Sequence, residues 1–180
     1  MKYKNTIFFS IIIALLWAGW YFNFQADNNR REIAYQNHGE EFTEENKPQY
    51  SMGKIEIKKQ NGEIINFQVD VADDAFKRSF GLMYVKEMPE NKGMFFIFPD
   101  VTIRNFWMKN TYIPLDIVYI GSDFEIKHIG KNAVPHSTEF VNSIYPAKYV
   151  LEINAGLADK LGLDRGDIVK FEKEKGNFEN

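Results

Sequence analysis

From Ile55 to Val71 apolar and polar residues alternate, with Ile55 and Ile57 before Gln60-Asn61-Gly62 and Ile65, Phe67, Val69 and Val71 after it. A period of two gathers side chains on one face only if the chain is extended, so the stretch cannot be an amphipathic helix. Asn-Gly supplies the positive φ angles of a tight connection, and the pattern predicts a β-hairpin. Asp73 and Asp74, Lys77 and Arg78, and then Gly81 follow in the order of an acidic cap, a basic last turn and a glycine stop, which predicts a short helix.

The later segments continue in short pieces. Gly93–Phe98 reads as an aromatic strand closed by Pro99. Asn105–Lys109, Leu115–Ile120 and Phe124–Ile129 read as further strands, the last two joined through Gly121-Ser122-Asp123. Residues 130–147 read as the longest loop, and Tyr149–Ile153 as a strand. Asn154 is expected to cap a second short helix that runs to Leu161 and stops at Gly162. Arg165-Gly166-Asp167 reads as a turn before a last strand, Ile168–Phe171. About eight short strands with two short helices predict a mainly β fold, a jelly-roll-like sandwich or barrel.

A different kind of segment precedes the domain. From Thr6 to Phe24 there is no charged side chain, and at about 1.5 Å per residue this run spans roughly 28 Å as a helix. Lys2 and Lys4 lie before it, and Trp17, Trp20, Tyr21 and Phe22 crowd its far end, where rings settle at a lipid–water interface. Residues 1–25 are therefore expected to be a signal-anchor transmembrane helix, single-pass in the cytoplasmic membrane, with the remainder on the extracytoplasmic (periplasmic) side. The alternative is a secreted or periplasmic protein after signal cleavage, although bulky rings fill the positions where a peptidase prefers small residues. Residues 26–51 read as an acidic tether, 52–174 as a globular β domain and 175–180 as a frayed tail. The chain has no cysteine, so disulfides, thiolate nucleophiles and Cys-type zinc sites are excluded. A net charge of -3 and the lack of a Lys/Arg cluster argue against nucleic acid as a partner.

Several stretches then form a recognisable set: Arg78-Ser79-Phe80-Gly81-Leu82-Met83, Gly93-Met94-Phe95-Phe96-Ile97-Phe98, Phe106-Trp107-Met108-Lys109-Asn110-Thr111-Tyr112-Ile113-Pro114-Leu115-Asp116, and Tyr149-Val150-Leu151-Glu152-Ile153-Asn154-Ala155-Gly156. Over residues 54–172 the chain resembles the bacterial and archaeal family known as domain of unknown function 192. The resemblance implies a mainly β, jelly-roll-like domain that is often exported. It implies no activity and no residue roles.

Trp107 to Asp116 is the most suggestive stretch for chemistry. On a continuous strand Trp107, Lys109 and Thr111 share one face, presenting a ring beside an ammonium and a hydroxyl, a combination suited to a glycan or small polar ligand. Equally, Trp107 can fill the core while Lys109 reaches to water. Asp116 and Glu152 each sit in an apolar run, with Arg78, Arg104 and Lys109 as available cations. If the two acids faced one cleft they could act as the acid and base of an envelope hydrolase; otherwise they are structural. Met83, Met94 and Met108 with Trp107, and His136 as a further candidate, suggest a Cu(I) site, against the commoner use of methionine as core filler. The histidines show no metal-ligand spacing, and no cofactor loop is present. The expectation is thus a membrane-tethered extracytoplasmic binding or accessory domain, with a membrane or envelope protein as partner. Its shallow ligand site would draw on Arg78, Trp107, Lys109, Asn110, Asp116 and Glu152.

Overall fold

The computed structural model describes residues 43–174. The expected anchor, residues 26–42 of the expected tether and the expected frayed tail lie outside the described residues. Among the described residues no helix is long and apolar enough to cross a membrane.

The hairpin forms as its pattern requires. β1 (Ser51–Lys58) pairs antiparallel with β2 (Ile64–Ala72), with Ile55 opposite Phe67 and Ile57 opposite Ile65. Helix α1 (Ala75–Phe80) then crosses over to β3 (Lys92–Thr102), which lies parallel to β2. Asp74 caps α1 by accepting the Lys77 N–H at 2.8 Å, and Gly81 closes it at φ 53°. β4 (Asn105–Phe106), β5 (Leu115–Ile120), β6 (Ile126–Ala133), β7 (Val141–Asn142) and β8 (Ala147–Asn154) follow. Helix α2 (Leu157–Leu161) and β9 (Ile168–Lys173) complete the domain. Seven strands make one mixed sheet in the order β6-β5-β8-β3-β2-β1-β9, and β4 and β7 form a separate two-stranded ribbon.

The ladder is open, yet the sheet curls until its edges touch. Glu125, just before β6, bridges Ile168 at the start of β9, and Ile126 N–H donates to Asp167 O at 2.9 Å. Alternation then sorts the core into two layers. Ile55, Ile57, Phe67, Val69, Phe95, Val118, Leu151 and Val169 fill the inner face. Met94, Phe96, Ile117, Tyr119 and Val150 line the outer face, roofed by Leu82, Phe106, Met108 and Ile113. β5 is buried at every position, as a strand covered on both faces must be.

The mainly β class and the two short helices are as expected, with nine strands among the described residues. Three local expectations are corrected. Pro99 does not end β3. Ile97 pairs with Tyr149 and Thr102 with Ala147, so four residues face one at a bulge, where a missing N–H costs no ladder bond. The strand expected over Asn105–Lys109 stops at Phe106, because Asn110 adopts φ 56° and turns the chain. Asn154 does not cap α2: Gly156 is the N-cap, and the Asn154 amide donates to Met88 O at 2.6 Å.

Candidate functional site

The ribbon and its flanking loops lie across the outer face. Phe106 and Val141, partners in the ribbon, pack inward, and the Tyr119 hydroxyl donates to Val141 O at 2.7 Å. The approach is close enough to require glycine beneath it. A Cβ on Gly130 of β6 would stand 2.4 Å from a Val141 methyl.

Beside the ribbon Ile144 has φ 59°, and three further non-glycine residues in left-handed backbone are linked to one another: Tyr84 (φ 64°), Asn110 (φ 56°) and His136 (φ 61°). Each is held by its neighbours. Thr111 N–H to Met108 O at 3.0 Å closes a turn with Asn110 at its third position, the place where a positive φ is needed in a type II turn. Ser137 N–H to Val134 O at 3.2 Å closes a second turn, with Pro135 and His136 at its centre. The two turns are joined by Met108 N–H to Ser137 O at 2.9 Å and His136 N–H to Thr111 O at 3.2 Å. Tyr84 completes the hub: its N–H donates to Asn110 O at 2.9 Å, and the Asn110 amide donates to its hydroxyl at 3.1 Å. Tyr112 lies between the rings of Tyr84 (6.2 Å) and His136 (5.0 Å). Left-handed Tyr and His each cost on the order of 1–3 kcal/mol, and such strain gathers where surrounding structure over-determines a site.

Trp107, half-buried, stacks on Phe140 with 6.2 Å between ring centres, and the Lys109 ammonium stands 5.5 Å from its centre. Trp107, Lys109 and Asn110 are thus together, on a loop rather than on one strand face. The other three expected site residues are elsewhere.

Arg78 donates to Asp73 O and Ile97 O, both at 2.9 Å, and packs over Phe98; burial lowers its guanidinium below the ordinary range. Its role is to tie α1 to β3. Asp116 is fully buried on the inner face, where its two oxygens accept Asn132 N–H and Ala158 N–H, each at 2.9 Å. It supplies to α2 the cap that Gly156 has no side chain to make. Glu152 is opposite Ile117 in the ladder while Asp116 is opposite Ile153, so the two acids lie on opposite faces of the sheet. The single cleft required of a hydrolytic pair does not exist.

Glu152 is nonetheless unusual. It is 4% exposed, no hydrogen bond or ion pair from the described residues reaches its carboxyl, and burial pushes it up to about 8. Pairing through β1, β2, β3 and β8 sets Met52, Asp70, Met94 and Glu152 in one row across the outer face, with two acids flanking a thioether. The Tyr50 hydroxyl, donating to Gly81 O, is held above its usual range by burial and by Asp70 and Glu152. Beside this row a groove of about 180 Å³ is lined by Met52, Asp70, Leu82, Val85, Met88 and Gly93.

The Cu(I) arrangement is not assembled. Met94 and Met108 are filler in the outer core, Met83 packs with Phe80 in a separate cluster, and Trp107 is engaged with Phe140 and Lys109. Among the described residues no group of three or more His, Asp or Glu is placed to hold a metal ion. Sequence reasoning missed Tyr84, Tyr112 and Phe140, and weighed His136 only as a copper ligand. Lys-Asn-Thr signals a turn, but nothing local marks tyrosine or histidine for left-handed backbone.

The profile of the DUF192 family, described as Uncharacterized ACR, matches residues 56–171. A UPF0127 protein of Thermococcus sibiricus (strain DSM 12597 / MM 739) is 31% identical over 124 residues, covering 66% of this chain and 75% of that protein. A solved structure from Sinorhizobium meliloti 1021, provisionally described as a transcription regulator, is 39% identical with a TM-score of 0.67. The match covers 69% of this chain and 96% of that one. A protein of unknown function from Novosphingobium aromaticivorans DSM 12444 is 35% identical with a TM-score of 0.63, over 65% of this chain and 83% of its own.

Proposed function

The chain belongs to the DUF192 family, and from that premise we propose that it is a binding or accessory domain tethered to the outer side of the cytoplasmic membrane. The ligand in this reading is a glycan or small polar molecule taken up at the hub. The convergence of Tyr84, Asn110 and His136 in left-handed backbone carries it, since such strain at three linked positions does nothing for a plain spacer. Lys109 offers a charge, Tyr112 and His136 offer ring faces, and Tyr84 holds the Asn110 amide in one orientation. The tethering rests on the charge-free run from Thr6 to Phe24 and the lysines before it.

Two measurements test the two halves. In the full chain, alkaline carbonate should leave the protein in the membrane, and protease added outside intact spheroplasts should remove the globular domain. Release by carbonate, or protection from protease, overturns the tethering. For binding, soluble envelope glycan fragments are titrated while Trp107 emission is followed. Saturable change that is lost in Lys109→Ala and Asn110→Gly supports the hub; unaltered binding in both variants removes it.

A further inference from the structure

We propose that the groove on the outer face of the sheet binds an aliphatic diamine, with one ammonium at Asp70, the other at Glu152 and the methylene chain lying along Met94.

The register fixes the floor of the site. Asp70 is opposite Met94 across β2 and β3, and Met94 is opposite Glu152 across β3 and β8, so the three side chains stand in line on one side of the sheet. Adjacent strands are about 4.8 Å apart, which sets the Cα atoms of the two acids on the order of 10 Å from each other. Asp70 is half-buried and lines the groove, and Glu152, at 4% exposed, points to the groove's side of the sheet. Among the described residues no hydrogen bond or ion pair reaches either carboxyl. Lys47 and Lys92 stand on the rim with Glu87, and neither lysine pairs with the two acids. Nor is Glu152 sealed. Among the described residues Ser51 Oγ is the side-chain polar atom shut off from solvent without a partner, so the Glu152 oxygens, which also lack one, keep contact with solvent. A buried carboxyl without a donor costs stability, and a ligand that brings N–H groups supplies the bonds the fold withholds.

The order of groups along that line selects the occupant. Both ends are acidic and the middle is a thioether. Leu82, Val85 and Met88, which pack on the cluster that contains Met94, also line the groove. Methionine side chains adapt their shape to what lies against them. An acid, a thioether and a second acid beneath an apolar wall are complementary to methylenes with a cation at each end. A single ammonium would leave one carboxyl unmatched. A metal ion would find too few ligands, because among the described residues no group of three or more His, Asp or Glu is placed to hold one. Burial holds Glu152 up to about 8, so it is neutral at pH 7, and an ammonium beside it favours the ionised form. Binding should therefore release a proton. The titratable groups that face Glu152 are Asp70 of β2 and the Tyr50 hydroxyl, with Lys47, Glu87 and Lys92 on the rim.

The full chain in nonionic detergent is titrated calorimetrically with diaminobutane and diaminopentane, and with pentylamine and pentanediol as one-ended and uncharged counterparts. Saturable binding of a diamine is expected, with pentylamine weaker by about tenfold or more and the diol without effect. Glu152→Gln and Asp70→Asn should each lower the affinity about tenfold or more. Glu152→Gln removes a buried carboxyl that no donor supports, so the variant folds. Glu56→Gln, on the same face of β1 as Met52 but outside the groove, should leave binding unchanged. Titration at pH 7 in two buffers of different ionisation heat should show about one proton released per diamine by the parent and none by Glu152→Gln. That readout would not move if Glu152 only shaped the groove. No saturable binding of either diamine overturns the proposal, as does pentylamine bound as tightly as the diamines, or affinity unaltered in both carboxyl variants. Zn²⁺ or Ca²⁺ bound through Glu152 in place of a diamine also overturns it and gives the site to a metal. None of these outcomes touches the hub or the tethering, which glycan titration and carbonate extraction decide.

Discussion

The two faces of the sheet handle buried charge in opposite ways. On the inner face Asp116 has no exposure, and both its oxygens accept a backbone N–H. On the outer face Glu152, across the β5–β8 ladder, is almost as buried and has no donor among the described residues. The inner layer therefore reads as finished structure, in which the polar group completes a helix. The outer layer keeps an uncompensated carboxyl and three linked residues in left-handed backbone. Polar groups and strain left unresolved are where a fold of this kind has room for function.

The contrast is broken or sharpened by substitution. Asp116→Ala strands the buried Ala158 N–H and frees the part-buried Asn132 N–H, and at about 1–3 kcal/mol for the buried donor a loss on the order of 2–4 kcal/mol is expected in denaturant unfolding. Amide exchange at Ala158 should accelerate with it. A loss below about 1 kcal/mol would show the inner acid to be as dispensable as the outer one.

Glu152 makes the next largest prediction, with the reverse sign. Its folded-state pKa of about 8 lies above the ordinary 4.5. Its favourable contribution is full below pH 4.5 and is lost as pH rises from there to about 8. At roughly 1.4 kcal/mol per unit, about 3 kcal/mol is lost by neutrality. Glu152→Gln should be more stable than the parent at pH 7, by an amount that shrinks toward pH 4.5. A gap independent of pH, measured by unfolding at several pH values, would refute the assignment of that carboxyl as neutral.

Smaller effects separate strain from contact. Asn110→Ala should cost about 1–2 kcal/mol through its left-handed backbone, whereas Asn110→Gly should be nearly neutral in stability. Equal losses in thermal unfolding would mean the amide contact with Tyr84 dominates. Smallest of all, Lys160→Ala removes an exposed 2.7 Å pair with Glu90 and should shift stability by less than about 0.5 kcal/mol, because solvent screens it.

What could be seen in the sequence was what local rules decide. The Asn-Gly hairpin, the Asp74 cap, the Gly81 and Gly162 stops and β5 follow from spacing within a few residues. What could not be seen depended on partners far along the chain. Asn154 is a reasonable cap by position, but the cap of α2 arrives from Asp116, forty-two residues earlier. Pro99 reads as a strand end until β8 shows a bulge opposite it. Trp107, Lys109 and Asn110 stand together because they are near neighbours on one loop. Arg78, Asp116 and Glu152 were grouped with them on residue type alone, and alternation across a paired strand is what separates them.

The pairing of β1 with β9 has a consequence for how the chain is completed. The first strand of the domain and the last are hydrogen-bonded neighbours, so β1 keeps a bare edge until Ile168–Lys173 has been made. The same adjacency makes the domain close to circular in connectivity. Joining its ends with a short linker and opening the chain instead at Asn61-Gly62 should give a permuted protein with the same sheet order.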